Sequence, residues 1–391
     1  MKPSIVFSGD FLRPESGRPR PTQHYNIQWC RDLLHRQVEL ATGCETGMVC
    51  WNQGGVVSGG IDHAAVEALY RAAGYSVDMD NWAGLLEEGS CPQPFEEEIL
   101  RYFDCRMVIG FEMPRYLTEA LRKAGTPFID IVIHPVRFMD DIFFGVRSSA
   151  PDINARIAAH AVPEEQISLM AGVQAAAARR NHRFKPDPGS LLFVHQMRRD
   201  RSQIRNGKFV SIDDFGEQTD ALAARFPKIY IKPHPLEKDT SIVAQLAARF
   251  ENAEVTGENI YRLLASERIA HVASISSSVG IEARYFGKPN TFLLGPPDGF
   301  GDDAIHAFTG VFDAFLTADF WRDILSPVMD TTAQTGVRVP FKPNRLRISQ
   351  RSFWGFNEID TDRVLHAGRI RNPSLLKRLG NEVSRLVKGR R

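Results

Sequence analysis

His271-Val-Ala-Ser-Ile-Ser276-Ser277-Ser278-Val-Gly-Ile-Glu282-Ala-Arg-Tyr-Phe-Gly287-Lys-Pro289 decides how this chain is read. Residues of strand character, His271–Ile275, run into three serines. The spacing after them predicts a short helix, Val279–Phe286, that Gly287 closes. A strand turning through serines into a helix is the repeating step of a layered α/β sheet. Serines at a helix N-terminus offer hydroxyls and free backbone N–H groups, and the helix dipole adds partial positive charge. Such a turn suits an anion, a phosphate above all. The plainer alternative is an ordinary serine cap with Glu282 exposed on the helix.

Working outward, the alternation continues on both sides. The second half predicts strands Leu191–His195, Lys228–Lys232, Glu254–Thr256 and Thr291–Leu294, and helices Phe215–Arg225, Ile242–Phe250 and Ile260–Ala265. The first half predicts strands Ile5–Ser8, Val38–Ala41, Met107–Glu112 and Phe128–Ile133. Helices are expected between them at Ile27–His35, Ala64–Ala73, Phe95–Phe103 and Arg115–Ala124. An Ala-rich helix, Glu164–Arg180, leads into the Pro/Gly-bearing stretch His182–Gly189, the natural linker. The expected architecture is α/β, with two doubly wound Rossmann-like domains, 1–182 and 183–345, facing each other across a cleft. A C-terminal segment, 346–391, is expected to return to the first domain. In open α/β sheets ligands sit outside the carboxyl ends of the strands, so residues just past strand ends are the candidates.

Composition narrows the field. The 391 residues exceed one ordinary core, and 43% hydrophobic with 24% charged residues is a globular balance. No apolar run approaches the ~20 residues of a membrane-spanning helix. MKPSIVFSGDF reads as a first strand rather than a signal peptide, which predicts a cytoplasmic protein. The five cysteines all precede residue 106 and form no CxxC pair, against a zinc site or a disulfide framework. The net charge of +1 conceals a tail, His366–Arg391, that carries +7 and leaves −6 on the body. An acidic body makes a poor nucleic-acid binder.

A second motif, Ile231-Lys232-Pro233-His234-Pro235, also lies at a strand end. Its prolines hold His234 in an extended backbone and remove competing donors, so the imidazole can serve a phosphate oxygen. Together with the serine turn some 40 residues on, it resembles the HP and serine motifs of CMP-sugar glycosyltransferases of the GT-B fold. That resemblance implies a CMP-binding set: Lys232, His234, Pro235, Asn259, Ser276, Ser277, Ser278 and Glu282, with Glu282 reaching ribose hydroxyls. UDP-sugar 2-epimerases share the fold and a similar turn, but theirs is followed by paired glutamates, where this chain has Glu282-Ala283.

The segment His195-Gln196-Met-Arg198-Arg199-Asp200-Arg201-Ser202-Gln-Ile204 starts as the second domain's first strand ends. It resembles the Gln-x-x-x-Asp segment of the retaining β-Kdo transferases of capsule and O-antigen synthesis, which use CMP-Kdo. The resemblance implies that Asp200 is the nucleophile of a double displacement. Gln196, Arg199 and Arg201 are then placed to meet the sugar's own carboxylate. The family's acidic residues before the aspartate are replaced here by Arg198-Arg199. In the first half, Val108-Ile-Gly-Phe-Glu112-Met-Pro114 ends a strand on a carboxylate. By resemblance to the acceptor domain of those transferases, Glu112 is the base for the acceptor hydroxyl; the bland alternative is an acid complementing a helix dipole. Asp10, His24 and the loop Arg13–Pro21 could shape the same acceptor side; His134, in the acceptor-like segment, also fits a satisfied core histidine, and Arg137 a domain-bridging ion pair.

The acid pairs Asp140-Asp141, Asp213-Asp214 and Asp302-Asp303 lack the Asp-x-Asp form of metal-dependent transferases. No metal or cofactor is therefore expected. From Asn372-Pro373 onward, Leu375, Leu376, Leu379, Val383, Leu386 and Val387 share one helical arc opposite lysines and arginines. This basic amphipathic helix fits either packing of its apolar stripe on the protein or, the favoured reading, peripheral contact with the inner face of the bacterial inner membrane, with a lipid-linked glycan as acceptor. Three alternatives stay open: an inverting transferase of another CMP-nonulosonic acid such as sialic acid, a non-catalytic subunit binding nucleotide sugar or glycan lipid, and a nucleotide-sugar epimerase.

Overall fold

The computed structural model describes residues 3–52, 60–87, 92–180, 184–234, 237, 241–301, 307–333 and 336–350. The C-terminal helix expected beyond Asn372 lies outside the described residues. A mixed α/β fold is built on two largely parallel sheets. In the first sheet the strands are β1 (Ile5–Gly9), β2 (Thr46–Met48), β3 (Met107–Phe111), β4 (Phe128–Ile133) and β5 (Phe144–Ser148). The second holds β6 (Ser190–Val194), β7 (Ile229–Lys232), β8 (Ala253–Val255), β9 (Ile269–Ser274) and β10 (Asn290–Phe292), and β11 (Thr309–Val311) follows in the chain.

The first sheet runs β11-β5-β4-β3-β1-β2, with β5 antiparallel to both its neighbours. The second runs β8-β7-β6-β9-β10 and is parallel throughout. In each sheet the chain winds outward to one side and then returns to the other. The reversal falls between β1 and β3 in the first sheet and between β6 and β9 in the second, the places where such sheets open a crevice.

The sequence explains the layers. Leu191 and Phe193 of β6 enter one apolar cluster while Leu192 and Val194 enter another, because successive side chains face opposite ways. A strand buried on both faces needs an unbroken apolar run, and Ser190–Val194 supplies it, each large side chain contributing about 1.5–3 kcal/mol. The expected strand Val38–Ala41 is instead the end of a helix, His24–Thr42. Ile27, Cys30, Leu34, Val38 and Ala41 form its buried stripe at helical spacing, and Gly43, in the left-handed region at φ 69°, caps it.

The domain boundaries also shift. The helix Glu164–Arg180, assigned above to the first domain, places Ile167, Ala171 and Ala178 in the cluster that lines the second sheet. The chain rejoins the first sheet at β11, well before residue 346, and the following helix Ala318–Leu325 buries Phe320 and Trp321 in the first core. Val136, Phe138, Met139 and Phe143, which leave β4, pack with Leu192, Val194 and Tyr261 of the second sheet's layer. This apolar seam fixes one sheet against the other.

Candidate active site

At the reversal point of the first sheet, Gly9 of β1 is in register with Phe111 of β3. The next residues, Asp10 and Glu112, therefore leave the sheet side by side. Glycine is required at position 9, because a Cβ there would lie 2.2 Å from the Phe111 carbonyl oxygen. Glu112 has a left-handed backbone, φ 52°, uncommon for a residue with a side chain. Its N–H donates to the Ile131 carbonyl at 2.8 Å, its own carbonyl accepts from Arg201 Nη1 at 2.6 Å, and Gln23 Nε2 donates to its Oε2 at 3.2 Å. Burial pushes its carboxyl pKa up. Asp10 and Asp200 add to that rise, while Arg201 and Arg13 oppose it. Glu112 precedes the helix Arg115–Lys123 by three residues and lies outside its first turn, so the helix-dipole alternative does not describe it.

At the second reversal point, Val194 of β6 is in register with Lys232 of β7 and Ser274 of β9. Three stretches far apart in sequence thus end together: Lys232–His234, His195-Gln196 and the serine turn. Gln196, 6% exposed, joins two of them. Its Oε1 accepts from Ser276 N–H at 2.7 Å, and its Nε2 donates to Ser202 Oγ at 2.9 Å. Ser202 in turn donates through both its N–H and its hydroxyl to Asp200 Oδ1, each at 2.9 Å. Asp200 caps the short turn Arg201–Gln203. One carboxylate oxygen is fixed by two donors, which orients the other.

The serine turn forms as its sequence predicts. Ser277 is the N-cap of the helix Ser278–Tyr285, accepting from Val279 N–H at 3.3 Å, and its own N–H donates to Ser274 Oγ at 3.1 Å. His234 is half-buried. Burial depresses its pKa and Lys232 helps, against the opposing charges of Asp200 and Glu237, so a neutral imidazole faces the site. Pro235 lies outside the described residues.

Several expected roles are corrected. Glu282 does not face an open edge: it is 2% exposed, and its Oε1 accepts from Arg137 N–H at 2.7 Å and from the Tyr261 hydroxyl at 3.0 Å. Burial pushes its pKa up to about 7, and the carboxyl ties the seam between the sheets. Asn259 caps the helix Ile260–Leu264, its Oδ1 accepting from the Tyr261 and Arg262 N–H groups. Arg201 turns to the first sheet, where Nη1 and Nη2 donate to the Glu112 and Met113 carbonyls at 2.6 and 2.9 Å. Buried carbonyls at a bent strand end need a donor, and the guanidinium fork meets two of them. Burial disfavours its charge, but Asp10, Glu112 and Asp130 outweigh that and raise its pKa. Arg199, with φ 58°, points away to Ser16 at 3.1 Å and to Asp80 at 3.7 Å.

Of two residues near these points, His195 takes no role from sequence and Asp10 only a place in shaping the acceptor side. His195 is 6% exposed and Asp10 1% exposed, and among the described residues the buried His195 Nδ1 and Asp10 Oδ2 have no hydrogen-bond partner. The signal available for both was position, the first residue after a strand at a reversal point. His134, by contrast, stacks on Phe143 in the seam, and burial drives its pKa down to about 3. Among the described residues no helix is long and apolar enough to cross a membrane, and no trio of His, Cys, Asp or Glu is placed to hold a metal ion.

No family model matches the chain, and no curated protein does. Solved structures similar to it include KpsC of Thermosulfurimonas dismutans, described as a β-Kdo 2,7 transferase. That pair shares 14% identity over 60% of this chain and 81% of the other, with a TM-score of 0.33. KpsC described as a β-Kdo 2,4 transferase shares 14% over 48% and 68%, with a TM-score of 0.30. The UDP-GlcNAc 2-epimerase of Neisseria meningitidis bound to UDP-GlcNAc shares 11% over 74% and 81%, with a TM-score of 0.29. At such scores the likenesses carry no weight for activity, and the reading below stands on this chain's own residues.

Proposed function

We propose that this protein is a retaining glycosyltransferase that moves β-Kdo from CMP-β-Kdo to a glycan acceptor by double displacement. The observation that carries the reading is the hydrogen-bonded path Ser276–Gln196–Ser202–Asp200, whose next residue in the chain, Arg201, donates to the main-chain carbonyl of Glu112. It links the phosphate-type turn, the candidate nucleophile and the candidate base, which lie far apart in sequence.

The donor phosphate rests on the Ser276–Ser278 turn, whose hydroxyls and helix dipole favour the negative charge of departing CMP, the Ser276 and Ser277 N–H groups being bound within the protein. His234, neutral, donates to a phosphate oxygen. Asp200, held at Oδ1, attacks the anomeric carbon with its other oxygen as the bond to CMP breaks and the electron pair leaves on phosphate. Glu112 then takes the proton of an acceptor hydroxyl, whose oxygen displaces Asp200 from the anomeric carbon. Two inversions return the starting configuration. The turn and His234 meet the leaving charge, so the reading calls for no metal or other cofactor. It includes a lipid-linked acceptor and an anionic membrane beneath the basic tail, which co-sedimentation of the full chain with anionic and with neutral vesicles checks.

The deciding test is the intact mass of the protein after incubation with freshly made CMP-Kdo and no acceptor. A gain of one Kdo unit, absent in Asp200→Ala, is expected. Binding of CMP-Kdo with turnover that survives Asp200→Ala would favour an inverting transferase of an acidic sugar. Binding without turnover would favour a non-catalytic subunit, and failure to bind CMP or CMP-Kdo would remove the donor assignment.

A further inference from the structure

Asp10 takes no part in the steps above, yet it leaves β1 beside Glu112, on adjoining strands about 4.8 Å apart. The Phe11 N–H donates back to the Gly9 carbonyl at 2.8 Å, so the chain bends at Asp10 and keeps its carboxyl at the strand end. Trp82 Nε1 and the Tyr116 hydroxyl donate to Oδ1 at 3.2 and 3.4 Å, while the buried Oδ2 has no hydrogen-bond partner among the described residues. A buried oxygen left unmatched is costly and calls for a reason. The charged and titratable groups facing the two carboxyls are Arg13, Arg201, Arg137, Asp200, Tyr70 and Tyr116.

We infer that Asp10 and Glu112 work as one carboxyl pair on the acceptor side, Glu112 taking the acceptor proton and Asp10 setting how strongly Glu112 holds it. The inference rests on the role proposed for Glu112. In the step concerned, the acceptor O–H proton passes to a Glu112 oxygen while the acceptor oxygen bonds to the anomeric carbon. The bond from that carbon to Asp200 breaks, its electron pair returning to the carboxylate, and the proton later leaves Glu112 for solvent. Asp10 is a positioning residue here: its charge, one strand away, raises the proton affinity of Glu112, which makes Glu112 a stronger base.

The experiment preforms the adduct on Asp200, removes free donor, and follows its discharge by concentrated glycerol across pH by intact mass. In the wild type the rate rises with pH as Glu112 ionises, and in Glu112→Gln that limb is absent. In Asp10→Asn the limb moves to lower pH by about one unit, and the plateau rate falls several-fold because the base is weaker. A lower rate with an unmoved limb would mean a merely structural role and would overturn the inference, as would an adduct that glycerol and water never discharge. Absence of any adduct in the wild type defeats the proposed function instead. The pair is then judged by carbon-13 carboxyl titration of the resting wild type, with Glu112 assigned through Glu112→Gln. Two coupled steps are expected, and an independent single-step titration of Glu112 overturns the inference.

Discussion

At the reversal point of the first sheet two acidic residues, Asp10 and Glu112, follow adjoining strands, and Arg201 donates to the Glu112 carbonyl. At that of the second, the corresponding places hold His195-Gln196 and a serine turn. The backbone plan is shared: a central strand, a neighbour reached by the return crossover, and parallel ends that open together. What differs is the first residue or two beyond each strand. Burial makes a carboxyl hold its proton more tightly, as at Asp10 and Glu112, whereas hydroxyls and the dipole at a helix start favour negative charge without titrating. One topology thus carries carboxyls at one reversal point and a serine-capped helix start at the other by changing only strand-end side chains.

The comparison can be broken most sharply at Asp200, which lies between the two points. Asp200→Ala should lower transfer by roughly 10⁴-fold or more, read as initial rate with CMP-Kdo, while leaving CMP affinity within a few-fold. Next in size, Glu112→Gln should cost about 10²–10⁴-fold in transfer and leave formation of the Kdo adduct intact. Loss of adduct formation there would mean that the two points do not divide the work. Gln196→Ala leaves the Ser276 N–H without its acceptor and frees Ser202. CMP binding should weaken by about 10-fold in calorimetry, the size of one lost hydrogen bond at a buried site.

The smallest effect tests the seam rather than either site. The carboxyl of Glu282 has its pKa raised to about 7 in the folded chain, against an ordinary value of 4.5. Between those two values the folded state binds more protons than the unfolded one, so this group's stabilisation is present below about pH 4.5 and lost as pH rises through about 7. Glu282→Gln should flatten that stretch of the curve of urea midpoint against pH, by a few kcal/mol at most. An unchanged slope would show that Glu282 ionises freely and that the seam is held otherwise.

Much of this is legible in the amino-acid sequence. β6, β7 and β9 read as strands because they are apolar runs ending in Gln196, His234 and the serines, and the turn at Ser277 carries its own capping chemistry. The helical stripe continuing through Val38 and Ala41 was not legible as helix, since a short apolar run fits either period. Glu282 misleads for a related reason. Helical spacing tells which residues share a face, but only the fold shows that Arg137 and Tyr261, from elsewhere in the chain, cover that face. Arg201 is similar, because its partners are carbonyls of a bent strand end, and a carbonyl leaves no mark in a sequence.

The segment from Gln196 to Arg201 is tethered at both ends, to the second sheet's serine turn by an amide and to the first sheet's strand end by a guanidinium. Any motion that separates the sheets must part at one tether or the other. If the amide lets go, Asp200 travels with the first sheet; if the guanidinium lets go, it stays with the second. Under the proposed mechanism the order in which those two ties release would decide which substrate exchanges while the sugar is still attached, a choice of traffic written into six consecutive residues.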